Sequence, residues 1–113
     1  MAEIPDETAT LRDLERFHAA LDEKKGFDRD LLRNIAFLAG EVGELVRAIQ
    51  DLRRPKGATD NEVLRERVAE ELVDVLASVL KLAHYADVDL QAAYLRKMRA
   101  NLDRSWPGVR DPV

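Results

Sequence analysis

Two acidic pairs with the same spacing, each set in a long run of helical periodicity, constrain this chain more than any other feature. Glu41 and Glu44 lie in GEVGEL, and Glu71 and Asp74 lie in EELVDVL. Residues three apart sit on one face of a helix and can share a ligand. With Glu41 at about 0°, the apolar residues Leu38, Val42, Leu45, Ile49 and Leu52 form an arc centred near roughly 70°, and Glu44 falls at about −60°. With Glu71 as origin, Leu64, Val68, Leu72, Val75, Val79 and Leu82 form an arc centred near roughly 70°, with Asp74 again at about −60°. Each helix therefore carries a carboxylate pair on the same shoulder of its buried stripe. Packing through the two stripes would bring four carboxylates to one edge, where their repulsion calls for a cation between them. A hard ion with oxygen ligands, Mg²⁺ or Mn²⁺, suits such a set. Either pair alone is equally at home on a solvated face, so the metal reading rests on the match between them.

The rest of the chain agrees with a helical domain. Only five glycines and four prolines interrupt 113 residues, and 46 % apolar with 35 % charged residues is a globular composition. A single all-α domain over residues 1–113, with a core of about 10–107, is expected. The net charge of −4 offers no basic stripe for nucleic acid. Without cysteine there is no disulfide framework and no thiolate metal site. No apolar run reaches about 18 residues, and the acidic MAEIPDETAT is not a signal peptide, so a cytoplasmic protein with no membrane partner is expected.

Taken in order, the chain predicts four helices. Thr8 or Thr10 caps the first, which ends at Gly26 and buries Leu11, Leu14, Phe17, His18 and Leu21. His18 beside that stripe is either a core residue or a ligand contact. Asp28 or Asp30 caps a second helix to about residue 53, in which Gly40 and Gly43 flank Glu41 and suggest close approach of a backbone or a ligand. Arg53, Arg54 and Lys56 form a basic loop that suits a helix C-terminus. Thr59, Asp60 or Asn61 caps a third helix running to about Tyr85 or Ala86, and Asp87 or Asp89 caps a fourth, from about 89 to 104. On the fourth, Lys97, Asn101 and Arg104 fall within about 60° of one another, with Leu95, Met98 and Leu102 on the buried side. That polar stripe is either a solvated face or a phosphate-binding one. Ile4, Val73 and Leu80 fall outside the stripes and are expected to be covered by self-association.

These stretches together resemble the MazG-like branch of the all-α nucleoside triphosphate pyrophosphohydrolases, and within it the dCTP pyrophosphatase type. ExxE followed by ExxD is the signature, carried here by Glu41, Glu44, Glu71 and Asp74. KMRANLDRSWP is similar to the family's K-M-x-x-N-x-x-R ending, and FHAALDEKKGF sets His18 and Phe27 where that type lines its nucleoside pocket. The chain departs from the type at Gln50 and Asp51, where relatives carry a base-stacking aromatic residue, and at Ser78, where they carry tyrosine.

The resemblance implies a four-helix MazG-like bundle that forms a homodimer or homotetramer. It implies cleavage of a nucleoside triphosphate between the α and β phosphates, with Mg²⁺ (or Mn²⁺) held by the four carboxylates. One carboxylate, Glu41 ahead of Glu44, would activate water, and Lys97, Asn101 and Arg104 would bind phosphate or sugar. Two other readings compete: a phosphoribosyl-ATP pyrophosphohydrolase, for which the only further basic cluster is Arg53, Arg54 and Lys56, and a non-catalytic helical oligomerisation module.

Overall fold

The computed structural model describes residues 3–54, 61–105 and 108. Its elements are α1 (Leu11–Lys25), α2 (Leu31–Arg53), α3 (Asn61–Tyr85) and α4 (Leu90–Leu102), the expected four-helix, all-α arrangement. The candidate third-helix caps Thr59 and Asp60, Lys56 of the basic loop, and Trp106 and Pro107 lie outside the described residues.

The helix ends form where local chemistry satisfies the terminal amides. Thr10 Oγ1 accepts from the Asp13 amide at 3.2 Å, and the Asp13 carboxylate accepts from the Thr10 amide at 2.9 Å, a closed capping box on α1. Gly26 stops α1 at φ 66°, a left-handed turn that costs glycine nothing, and its amide donates to Asp22 O at 2.7 Å. Asp30 caps α2 by accepting from the Arg33 amide at 2.8 Å. Asp89 caps α4 by accepting from the Ala92 amide at 3.1 Å, and also takes both oxygens to Arg12 of α1, at 3.0 and 2.7 Å. Glu15 accepts from the Leu90 amide at 2.8 Å, while Gln91 Oε1 accepts from the Arg12 amide at 2.9 Å. Three polar links thus clasp the starts of α1 and α4.

α2 and α3 pack as a long antiparallel hairpin, α1 lies on α3, and α4 packs chiefly on α1. Arg67 of α3 reaches Asp51 of α2 at 2.7 Å near the far end of the hairpin. Asp51 is therefore engaged in tying the two helices together. α3 is covered on two sides, and this overturns one expectation. Leu80 is the most deeply buried large side chain, at 2 % exposure, and is covered within the chain rather than by self-association. The stripe aimed at α2 says nothing about the second packing of α3, against α1, and Leu80 and Ala83 are both buried in the folded chain.

Other expectations reverse in the opposite sense. Leu95, Met98 and Leu102, the expected buried side of α4, are exposed, because α4 packs chiefly on α1 and is not enclosed by the hairpin. Leu72 of the α3 stripe is also exposed. α4 stops at Leu102, so Arg104 lies beyond it and does not continue the helical stripe of Lys97 and Asn101; its amide donates to Asn101 O at 3.2 Å. Among the described residues no helix is long and apolar enough to cross a membrane.

Candidate active site

The hairpin brings Glu41 of α2 to Glu71 and Asp74 of α3. One carboxylate oxygen from each lies within 4.8 Å of the other two, a separation that a single divalent ion can span. Glu41 and Glu71 are half-buried and Asp74 is exposed, so the group sits at the edge of the interhelical contact. The electrostatics carry the mark of crowding. Partial burial, then the charges of Asp74, Glu44 and Glu41, raise the Glu71 carboxyl above its usual range, against a weaker opposing pull from Arg67. A cation at the cluster would relieve that repulsion, and an all-oxygen donor set fits a hard one.

Glu44 is not part of the converging group. Its carboxylate turns along α2 to Arg47, at 2.7 Å, while staying near enough to raise Glu71. Three of the four signature carboxylates therefore meet, and the fourth is held by a neighbouring cation.

Two openings flank the cluster and share Glu41 as a wall. One, of about 510 Å³, runs along α2 past Arg33, Phe37, Gly40 and Glu44. Apart from the helix's own adjoining backbone, no atom of the described residues lies within 4 Å of where a Cβ would stand at Gly40 or Gly43, so the expected close approach of another backbone does not occur among the described residues. The other, of about 410 Å³, is lined by Phe27, Asp28, Asn34, Phe37, Glu41, Ser78 and Lys81. It is large enough for a nucleobase and sugar and has an aromatic wall, a cation and a carboxylate edge.

A sequence profile of the MazG nucleotide pyrophosphohydrolase domain matches residues 29–103, which hold all three converging carboxylates. The chain belongs to the MazG family. It is similar to dCTP pyrophosphatase 1 of Homo sapiens, 37 % identical over 99 residues that make up 84 % of this chain and 58 % of the relative. The corresponding proteins of Bos taurus and Rattus norvegicus are 36 % and 35 % identical over the same length, covering 84 % of this chain and 59 % and 58 % of theirs. The chain thus spans under three-fifths of the curated relatives it matches.

The remaining MazG-type positions divide between the cavity and the outside of the chain. Phe27 lines the cavity beside Glu41. His18 sits one layer back, half-buried on α1, edge-on to Phe17 at 5.2 Å between ring centres. Its Nδ1 is buried without a hydrogen-bond partner, and burial followed by the charge of Lys81 lowers its pKa, so the ring is neutral at neutral pH. Lys97 and Asn101 ride on α4, which packs chiefly on α1 and not over the carboxylates of its own chain.

Sequence reading missed Lys81, Asn34 and the Asp22–Tyr85 pair. Lys81 follows Asp74 by seven residues and Ser78 by three, so the spacing that flagged the carboxylates also places it on their face. Asp22 is buried at 4 % exposure and accepts from the Tyr85 hydroxyl, joining the end of α1 to the end of α3. No helical pattern distinguishes that carboxylate from its exposed neighbours.

Proposed function

We propose that this chain hydrolyses a nucleoside triphosphate between its α and β phosphates, releasing a nucleoside monophosphate and pyrophosphate. The observation that carries the reading is the convergence of Glu41, Glu71 and Asp74 beside a cavity of nucleoside size. Glu41, Glu71 and Asp74 would hold Mg²⁺, with Mn²⁺ as a substitute, and the bound ion would neutralise charge on the triphosphate oxygens. Glu41 borders both the cluster and the cavity, which suits it to orient the attacking water and accept its proton. The water oxygen bonds to phosphorus as the bridging P–O bond breaks, and the pyrophosphate oxygen carries the electron pair away. Phe27 would line the nucleoside pocket and neutral His18 would support it from behind. Ser78, smaller than the tyrosine of the dCTP type, leaves that wall open to bases of more than one size.

We further propose that the active form is a homodimer or a homotetramer made of two dimers, acting on the cytoplasmic nucleotide pool. Lys97, Asn101 and Arg104 would then meet the phosphates bound by a neighbouring copy.

Pyrophosphate release from a panel of canonical and modified nucleoside triphosphates, with Mg²⁺ or Mn²⁺, tests the reaction. Glu71→Gln should lower turnover by about 10²-fold or more, because a neutral amide neither holds the ion nor balances its charge. Release that is absent from the wild-type protein with every nucleotide would overturn the reading in favour of a non-catalytic module, and release that is equal in Glu71→Gln would overturn the assignment of the reaction to this carboxylate cluster.

A further inference from the structure

The cavity beside the carboxylates contains a cation that the reaction itself does not need. The Lys81 ammonium stands over the Phe27 ring, 4.2 Å from its centroid, and both residues line the cavity that Glu41 closes at its other edge. Attraction to the ring face holds the end of an otherwise flexible four-carbon chain in place. Among the described residues no carboxylate lies within ion-pair distance of it, so its donors are not spent on a salt bridge. The other polar groups here are differently committed. Asn34 spends its amide donors on Asp28 O at 2.8 Å and Asp30 O at 2.7 Å. Asp28 is occupied by Arg33 and by the Asp30 amide. Lys81 is thus the cavity's charged donor, with Ser78 beside it on the same face of α3.

Its position along α3 indicates what it meets. Glu71, Asp74, Ser78 and Lys81 follow one another down a single face, and Lys81 lies about 10 Å along the axis from Asp74. That separation is too long for one phosphate to bridge, but it matches the reach of an extended nucleotide from its α-phosphate to the far edge of its base. Phe27 under the ammonium marks the same place as the one suited to a flat ring.

We propose that Lys81 determines base specificity, donating a hydrogen bond to a carbonyl oxygen of the base so that keto bases are preferred over adenine. The ammonium has three donors and no acceptor. A carbonyl oxygen satisfies it, whereas the exocyclic amine of adenine presents a second donor at the same place. The inference rests on the pyrophosphohydrolase reading and extends it to the base.

The test compares dITP with dATP, whose bases have one size and differ at the C6–N1 edge, where dITP presents a keto oxygen and an N1–H and dATP an amino group and an N1 lone pair. It is made on the wild-type protein, Lys81→Met and Lys81→Arg. Methionine keeps the unbranched stem against Phe27 and removes the charge. The wild-type protein should favour dITP by about tenfold in kcat/KM, Lys81→Met should lose that preference by slowing dITP with dATP within about twofold, and Lys81→Arg should keep it. Titration calorimetry with dIMP and dAMP should show the same preference in Kd, without hydrolysis. Equal loss for dITP and dATP in Lys81→Met would overturn the proposal and assign the charge to the phosphates; no change for either would overturn it outright. Wild-type protein that releases pyrophosphate from nothing overturns the enzymatic reading instead, and the monophosphate titration then decides the role of Lys81 alone.

Discussion

Two side chains at the α1–α3 contact show how a buried polar group shapes this domain without entering its chemistry. Asp22 is covered almost completely and accepts from the Tyr85 hydroxyl, while Arg29 stands over the tyrosine ring at 5.5 Å. Burial, and then the bond to Asp22, push the tyrosine pKa upward and keep the phenol protonated as a donor. His18, a turn earlier on α1, takes the opposite course: its buried Nδ1 has no partner, and burial and Lys81 both disfavour the charged ring. The folded pKa of His18 is therefore below the unfolded value of about 6.5. Below that pH the unfolded chain binds a proton that the folded chain resists, so the stabilisation present above about pH 6.5 is lost as pH falls. Urea unfolding midpoints should drop from about pH 7.5 to about pH 5.5 more steeply in the wild-type protein than in His18→Gln, which cannot titrate there. Equal slopes would show that folding leaves the pKa of the imidazole unchanged.

At the scale of the helix, the ends and the faces follow different logic. Thr10, Asp30, Asp89 and Gly26 were legible as caps because each satisfies amides or a left-handed turn within four residues of itself. The acidic shoulders of α2 and α3 were legible because a matched angular offset survives any antiparallel packing through the two stripes. What periodicity could not convey is that α3 serves two neighbours. Leu80 falls outside the stripe that faces α2 and is nonetheless the deepest large side chain among the described residues, in a helix that packs on α1 as well as α2. Leu80→Ala should accordingly cost about 2–5 kcal/mol in equilibrium unfolding, as expected of a core leucine. Leu102→Ala, exposed at the end of α4, should cost well under about 1 kcal/mol in the isolated chain.

The molecule as a whole carries more surface than a chain of its size should. Its 9018 Å² exceeds by about 2,700 Å² the roughly 6,300 Å² of a compact 12.8 kDa monomer. Its radius of gyration of 17.4 Å exceeds the roughly 13 Å of a compact chain of this length. Leu32, Phe37 and Val46 on α2, with Leu72, Val73 and Leu76 on α3, supply apolar surface of the kind that obligate dimers bury. Light scattering should therefore give a mass that is a multiple of 12.8 kDa, and Leu72→Glu with Leu76→Glu should reduce it to one chain. Mixing a Glu71→Gln chain with a Lys97→Ala chain should restore part of the activity that each lacks, since one mixed site would then be intact. A monomeric wild-type protein, or a mixture with no recovery, would confine the site to one chain.

The sequence by itself determined the helices, their caps and the pairing of acidic shoulders, since amide satisfaction and a 3.6-residue period act over a few neighbours along the chain. The tertiary structure decided which groups those shoulders became. Glu41, Glu71 and Asp74 converge because two helices meet, whereas Glu44 is drawn to Arg47 on its own helix. Asp51 is spent on Arg67 and Lys81 is held over Phe27, each by a partner far away in sequence. Charge and aromatic contacts act through space, and the spacing along one helix does not encode the distance to another.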